Sequence, residues 1–342
     1  MPRIKAVKES VVYASKIANY LFCPHAYLLD CITKEAGLPI TGAMAEAAWL
    51  KNAFRRLFLD GHEVGPDLPS IERAPLAELP RYMRYKSPEA FAKATAFLGW
   101  KNYIIDKRGK VHDRDVVWLY AHQWDKAMGE IYRACKSYYK FLLEGSMPLP
   151  SFIDREAAFR FRGRKYVTRL SVVKGADGKC TIGEYGTKKK SQEALDNDWE
   201  VTLKVLAFCT LAHDIEALRM KWGLDAAAIR KWDGAAISPE VPFRYYSLLD
   251  GKDGAVLEAR RDDSHIEPML AAIESAERAI AERKFEPNHR ACPTCRYNVL
   301  RPDGVPACDK RAPGVKLHRT MDELMAEREA QEAKKRTPEN DA

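Results

Sequence analysis

The pattern of apolar and polar positions changes from helical to alternating near residue 151. Before that point apolar residues recur every three or four positions, and residues 42–62 are predicted to form an amphipathic helix. Residues 9–33 predict one or two short helices, interrupted at Pro24. Residues 63–150 begin with a Pro-rich loop and continue with helical segments. We interpret this stretch as a helical insertion.

Alternation of apolar and polar residues predicts β-strands in the second half of the chain. Strands are expected in "AAFRFRG", "RKYVTRLSVV" and "CTIGEYG", with a hairpin turn at Asp177-Gly178 between the second and third. A helix is expected over residues 191–213, followed by strands in "EVPFRYYSLL" and "AVLEARR". This order of strands and helix predicts an α/β (α+β) fold.

These changes of pattern divide the chain into five regions. The prediction places N-terminal helices at 1–62, the helical insertion at 63–150, a strand-rich core at 151–263, a C-terminal helix with a cysteine group at 264–312, and a charged tail at 313–342.

Composition and charge narrow the classes of function. No apolar run approaches the eighteen or more residues of a membrane helix, and the N-terminal sequence lacks the apolar stretch of a signal peptide. We therefore expect a cytoplasmic protein without a membrane partner. The formal net charge of +8 favours a polyanionic partner.

Eight cysteines are present, and their spacing separates them into two groups. Disulfides are disfavoured in a reducing compartment. Four cysteines lie singly in apolar or strand-like surroundings, where we interpret them as small buried hydrophobes: Cys31, Cys135, Cys180 and Cys209. Cys292 and Cys295 form a C-x-x-C motif, Cys308 follows after a loop, and Cys23 lies near the other end of the chain. Three thiolates at one end are one short of a tetrahedral sulfur site.

Three segments together resemble the iron-sulfur branch of the PD-(D/E)XK nuclease superfamily, which includes RecB and AddB nuclease domains and CRISPR-associated exonucleases. They are "SKIANYLFCPHAYLL", the central hairpin with its helix, and "AIAERKFEPNHRACPTCRYN" followed by Cys308. The resemblance implies a restriction-endonuclease-like mixed sheet flanked by helices, with residues 151–263 as the nuclease-like core. It also implies a 4Fe-4S cluster on Cys23, Cys292, Cys295 and Cys308.

The long gap between Cys295 and Cys308 departs from the short spacing of that family. Cys308 is therefore the least secure of the four ligands. A zinc site stays open as an alternative, formed by the four cysteines or by three of them with His25 or His289, and so do unligated thiols. Joining Cys23 to the other three closes a loop of more than two hundred residues. Such a closure contributes on the order of 4 to 5 kcal/mol to stability.

The resemblance also locates an altered active site. Family members hold Mg²⁺ or Mn²⁺ on an aspartate of one strand and on an acid-x-lysine motif of the next. Here Thr168 takes the place of the aspartate, Glu184 keeps the second acid, and Gly186 replaces the lysine. Glu46 stands where a histidine ligand is usual. Lys188 lies about 13 Å along the strand from Glu184, too far to replace the missing lysine without a kink.

The helix after the strands usually carries a Gln-x-x-x-Tyr motif, and this chain has Thr202 and Leu206 there instead. Neither is a useful metal ligand. Glu46 and Glu184 remain as the residual catalytic set, so we predict a degenerate site that binds Mg²⁺ or Mn²⁺ weakly.

Phosphate binding needs only positive charge and backbone donors, so a groove for DNA can persist without cleavage. The predicted contacts are Arg162, Arg164, Lys165, Arg169, Lys188, Lys189 and Lys190. The leading hypothesis is a nuclease-like iron-sulfur protein that binds DNA or a protein complex of recombination, CRISPR-type or phage DNA processing. Two alternatives stay open: an active Mg²⁺- or Mn²⁺-dependent DNA exonuclease, and a protein-protein adaptor that docks through residues 63–150 or the tail.

Overall fold

The computed structural model describes residues 11–34, 40–41, 116–118, 150–174, 180–186, 189–212, 236–249, 255–301 and 303–336, and also the helical residues 123, 126, 129–130, 132–134 and 136–138. These residues form two compact units. We name them the sheet unit and the cysteine unit. The sheet unit contains the described residues before Phe22 and those from Ala134 to Lys284. The cysteine unit contains the described residues from Phe22 to Arg133 and from Phe285 to Arg336.

Strands and helices alternate along the described chain. In order they are β1 (Val11–Tyr13), α1 (Ala14–Phe22), α2 (Pro24–Tyr27), β2 (Ile40–Thr41), β3 (Val116–Trp118), β4 (Pro150–Phe161), β5 (Arg164–Lys174), β6 (Cys180–Gly186), α3 (Gln192–Asp196), α4 (Trp199–Ala212), β7 (Phe243–Ser247), β8 (Ala255–Ala259), α5 (Ile266–Ala281), β9 (Arg319–Thr320) and α6 (Met321–Arg336). A π-helical turn covers Leu28–Ile32, and 3-10 turns cover Asp263–His265 and His289–Thr294.

A six-stranded mixed sheet is the centre of the sheet unit. β4 pairs antiparallel with β5 along one edge of that strand. Two strands share the other edge of β5: β1 runs parallel to Lys165–Val167, and β6 runs antiparallel to Val172–Lys174. β7 runs parallel to β6. β8 is the last strand of the sheet and runs antiparallel to β7.

A two-residue turn joins β4 and β5. Phe161 pairs with Arg164, and the two loop residues, Arg162 and Gly163, have φ values of 47° and 76°. Positive φ at both central positions is the geometry of a type I′ turn, which matches the twist of the paired strands. Along β5, Tyr166, Thr168 and Leu170 are buried on one face, and the other face carries the buried Val167 and the exposed Arg169.

Helix α4 is almost entirely buried in the sheet unit, where it packs against β4, β5, β6 and α5. Helix α5 is amphipathic and buries Ile266, Met269, Leu270 and Ile273, the spacing of a single helical face. Within the described part of the chain, no helix combines the length and apolarity needed to cross a bilayer.

The cysteine unit has a small core of its own. Its small sheet places β3 between β2, which is parallel to it, and β9, which is antiparallel. Cys23, Ala26 and Leu29 pack in one apolar cluster with residues that follow α5: Ala291, Cys295, Tyr297, Val299 and Ala307. The cluster thus joins chain segments more than 250 residues apart in sequence.

The α/β class expected from the sequence is confirmed, as is the order of strands, helix and strands in the core. Two local predictions were wrong. Val11–Tyr13 is a strand rather than helix, because its two valines pair with β5. The helix expected over 191–213 is broken, because Asp198 accepts a hydrogen bond from the Glu200 amide and so begins α4 anew. The helix expected over 42–62 lies outside the described residues, as does most of 63–150.

Arg261, just after β8, is a buried guanidinium that holds the two helices on either side of this break. Its Nε donates to Thr202 Oγ1 at 3.0 Å and its Nη2 donates to the carbonyl of Leu195 at 2.7 Å. The side chain is 2% exposed. Burial lowers the pKa of Arg261, and the opposing effect of Asp196 and Asp198 only partly offsets that fall.

Replacing Arg261 by methionine is therefore expected to destabilise the sheet unit. The change leaves two buried acceptors without their donor, which costs about 2 to 4 kcal/mol. Thermal and urea unfolding would measure the loss. Arg260 is the matched control, because it is exposed and its replacement by methionine should change stability by no more than about 0.5 kcal/mol. Equal effects of the two changes would contradict the assignment.

Candidate functional site

All four cysteines implied by the resemblance lie in the cysteine unit and close to one another. Cys23 precedes α2, Cys292 lies in the 3-10 turn His289–Thr294, Cys295 ends that turn, and Cys308 follows a bridge between Leu300 and Pro306. Three of the thiols are buried and Cys308 is half-buried. Burial raises the pKa of Cys295 to about 11, and the Cys23, Cys308 and Cys292 thiols add to that rise. The four sulfurs are thus within electrostatic reach of each other.

Backbone amides donate to three of these sulfurs. The amide of Asn288 donates to Cys23 Sγ at 3.4 Å. Amides of Tyr297 and Lys310 donate to Cys295 and Cys308, each two residues further along the chain, and lower the pKa of those thiols against the effect of burial. Amide donors aimed at sulfur stabilise thiolates and tune metal-sulfur sites. This donor set fits a metal-thiolate centre.

A second group of possible metal ligands overlaps the four cysteines at Cys308. Ligand atoms of His25, Cys308 and Asp309 all lie within 4.8 Å of one another. Four thiolates, or a mixed group of nitrogen, sulfur and oxygen donors, can each hold a metal ion. The cysteine unit therefore contains two overlapping sets of candidate ligands.

His25 is buried beside the cysteines rather than among them. Its Nε2 lies 3.0 Å from Asp309 Oδ1, and Cys308 Sγ lies within 4.8 Å of both atoms. His289, the other candidate for zinc, is exposed.

Among the remaining cysteines, Cys209 is fully buried in α4, as expected of a small hydrophobe, and burial raises its pKa to about 12. Cys31 is half-exposed. The side chains of Cys135 and Cys180 lie outside the described part of the structure.

Glu184 and Thr168 share one face of the central sheet. β5 and β6 are paired over Val172–Lys174 and Cys180–Ile182, and Glu184 lies two residues beyond the Val172–Ile182 pair. Side chains of directly opposed strand residues point to the same face, and those two apart do so as well. Glu184, Gly186 and the buried Thr168 therefore face the same side, as the resemblance requires of the acid, the lysine and the aspartate.

Gly186 is glycine because Tyr245 occupies the space where a side chain would stand. Tyr245 is the parallel partner of Glu184, so its ring extends along the strand over Gly186. A Cβ atom at residue 186 would lie 2.2 Å from Tyr245 Oη and 2.9 Å from its Cζ. No lysine fits at this position without displacing the tyrosine. Burial raises the pKa of Tyr245 to about 12, and the Glu184 carboxylate adds to the rise.

An ammonium reaches Glu184 from α4 instead. Lys204 Nζ lies 2.8 Å from Glu184 Oε2, and the lysine side chain is 14% exposed. Burial alone lowers the pKa of Lys204, but the carboxylates of Glu184 and Glu200 raise it, and the net direction is upward. Lys204 therefore stays charged and neutralises the acid that the resemblance assigns to the metal.

Two further acids and one further lysine surround this pair. Burial raises the pKa of Glu200, which lies one helical turn before Lys204. Asp198 Oδ2 is bound by Lys190 Nζ at 3.3 Å, and Lys190 also lies over the ring of Tyr245. Three carboxylates thus face two ammonium groups. We name Glu184, Lys190, Asp198, Glu200 and Lys204 the carboxylate-lysine cluster.

Two of the other positions matched to the family are among the described residues, Thr202 and Leu206. Glu46 and Lys188 lie outside the described residues. Thr202 accepts a hydrogen bond from Arg261, and Leu206 is fully buried.

Most of the predicted nucleic-acid contacts lie among the described residues, and they differ in exposure. Arg162, Arg169 and Lys189 are exposed, whereas Arg164, Lys165 and Lys190 are half-buried. Three of these cations form ion pairs with carboxylates at distances between 2.6 and 3.3 Å: Arg162 with Glu267, Arg164 with Glu277, and Lys190 with Asp198. Phosphate binding by those three requires that they leave these carboxylates.

Sequence reasoning missed five candidate site residues: Asp198, Glu200, Lys204, Tyr245 and Asp309. Lys204 carried a usable signal, since it is the lone charged residue in the stretch Val201–Cys209 of α4. Tyr245 and Asp309 carried none, because their roles depend on strand register and on chain packing.

A scan of the chain against models of protein families finds no match. A search of curated proteins finds none either.

Proposed function

We propose that this chain is a nuclease-like iron-sulfur protein that binds nucleic acid without efficient cleavage. Cys23, Cys292, Cys295 and Cys308 would hold a 4Fe-4S cluster, whose chemistry here is structural cross-linking. The observation that carries the loss of cleavage is the Lys204–Glu184 ion pair. An ammonium already neutralises the carboxylate that a divalent cation would need.

Hydrolysis of a phosphodiester by this class of site requires Mg²⁺ or Mn²⁺ on hard carboxylate oxygens. Thr168 is neutral and buried, so it supplies no charge at the position of the family aspartate. Both Glu184 and Asp198 are bound to lysines. A metal ion would have to displace these ammonium groups before it gained two carboxylate ligands.

Binding of DNA is supported by the net charge of +8 and by exposed cations on two elements, Arg169 on β5 and Lys189 before α3. Such contacts position phosphates without reading the sequence of the bases. The partners we propose are single- or double-stranded DNA, bound alone or within a DNA-processing complex.

Fluorescence anisotropy with labelled single- and double-stranded DNA, in stepped NaCl, tests the binding. On duplex DNA the slope of log affinity against log salt should be about −0.9 per phosphate contacted. A double Arg169→Gln, Lys189→Gln variant should bind more weakly with a shallower slope, while Arg328→Gln, at an exposed cation of α6 outside the predicted contacts, should bind almost as the unmodified chain does. Failure to bind at low salt would favour the adaptor hypothesis.

The second candidate function is an active nuclease, which interprets the 2.8 Å contact between Lys204 and Glu184 in the opposite way. In this alternative Lys204 takes the role of the lysine that is absent at 186, and Glu184 holds the metal. Cleavage of single-stranded DNA with Mn²⁺ tests it. Activity that disappears in both Glu184→Gln and Lys204→Met, but persists in Lys189→Met, would establish the nuclease. Absence of cleavage by the unmodified chain would leave the first proposal standing.

A further inference from the structure

The group of His25, Cys308 and Asp309 has the composition and spacing of a site for a single metal ion. His25 Nε2, Cys308 Sγ and an Asp309 carboxylate oxygen all lie within 4.8 Å of one another. All three residues belong to the cysteine unit, and Asp309 directly follows Cys308. The group differs from the four-cysteine set in its donors, which are one nitrogen, one sulfur and one oxygen.

The donors and their distances suit zinc. Zinc is bound by histidine nitrogen, thiolate and carboxylate at about 2.0 to 2.3 Å, so its tetrahedral ligands stand about 3.4 to 3.8 Å apart. The imidazole and carboxylate atoms are 3.0 Å apart, so an ion between them needs a separation of a few tenths of an ångström more. Asp309 can supply it, because its side chain is 72% exposed while His25 is held in place by burial.

We propose that His25, Cys308 and Asp309 form a zinc site that is filled when the iron-sulfur cluster is absent. The two centres exclude each other because Cys308 has one sulfur, which either completes the four-cysteine set or joins His25 and Asp309. Three protein ligands leave the fourth zinc position to water, so the site is open to exchange. The inference rests on the proposed function in one respect, namely that Cys308 is also a cluster ligand.

Cobalt is the spectroscopic probe for this site. The full-length chain, stripped of iron by a chelator under reducing conditions, is titrated with Co²⁺ and then with Zn²⁺ in competition. We expect one tight ion per chain and a sulfur-to-cobalt charge-transfer band of the intensity that one thiolate gives. Asp309→Asn and His25→Gln should each weaken zinc binding by more than about tenfold, since loss of even an outer-shell partner costs that much.

Cys292→Ser is the matched control, because it removes a thiol of the four-cysteine set and leaves the proposed zinc ligands intact. It should bind Zn²⁺ as tightly as the unmodified chain. A band of four-thiolate intensity, together with loss of zinc binding in Cys292→Ser and none in Asp309→Asn, would overturn the inference. Circular dichroism of each variant shows whether it is folded, and the isosteric Asp309→Asn change at an exposed residue keeps the test valid if His25→Gln is unstable.

Iron incorporation gives an independent result. Asp309→Asn should still take up iron and sulfide, because Asp309 is outside the four-cysteine set. If the unmodified chain takes up no cluster but still binds one zinc ion through Asp309, the iron-sulfur proposal fails and the zinc site stands. If a cluster forms and the stripped chain does not bind zinc, the zinc site fails and the iron-sulfur proposal stands.

Discussion

A Cys23→Ser variant is expected to lose the visible absorption of an iron-sulfur cluster and to unfold at a lower temperature. Cys23 is the thiol that ties the segment around α2 to the three cysteines that follow α5. Without it, the closed loop of more than two hundred residues is released. The entropy of such a loop is worth on the order of 4 to 5 kcal/mol, which corresponds to a fall of roughly 15 °C in the melting temperature of the cysteine unit.

Anaerobic purification, iron and sulfide analysis, and differential scanning calorimetry measure these effects. Cys31→Ser is the matched control, since Cys31 lies eight residues away and outside the four-cysteine set. It should keep both the absorption and the melting temperature. A full complement of iron in Cys23→Ser, or its loss in Cys31→Ser, would contradict the ligand assignment.

Gly186→Ala is expected to destabilise the sheet unit by about 2 to 3 kcal/mol, the cost of overpacking a well-filled site. The added Cβ would meet Tyr245 Oη at 2.2 Å. The tyrosine is 3% exposed, and the Leu248 amide donates to the Gly186 carbonyl at 2.9 Å, so neither the ring nor the strand yields easily.

A double-mutant cycle with Tyr245→Leu attributes the loss to this contact. The leucine removes the ring that the new methyl group would strike, so Gly186→Ala should cost at least about 1 kcal/mol less in that background. Urea unfolding of the four proteins measures the coupling. Equal costs in both backgrounds would show that the tyrosine does not fill the space at residue 186.

The strands of the core could be predicted because the alternation of apolar and polar residues is visible within each strand's own sequence. The hairpin turns between them also have clear sequence signatures. Val11–Tyr13 could not, since three residues carry too little periodicity and their strand exists only through pairing with β5. The replacement of lysine by Gly186 was visible in the sequence, but its reason was not. That reason depends on the parallel register that brings Tyr245 beside Glu184.

Only part of the candidate site could be predicted from the sequence. The C-x-x-C motif and its resemblance to a known family predicted a group of four cysteines, and the structure brings those residues into one unit. The ammonium at Glu184 comes from a helix packed across the sheet, twenty residues further along the chain. A pattern of apolar positions does not specify that contact, although a single lysine in a buried helix indicates that a partner acid exists.

β1 and β6 pair with the same edge of β5, so the N-terminal segment completes that edge. β6 pairs only with Val172–Lys174, and β1 pairs with Lys165–Val167. A truncated chain that starts at Ala14 would leave this stretch of backbone donors and acceptors uncovered, and such a stretch is a template on which a strand of another molecule can assemble. Pairing with β1 therefore occupies backbone groups of β5 on which a strand of another molecule would otherwise assemble.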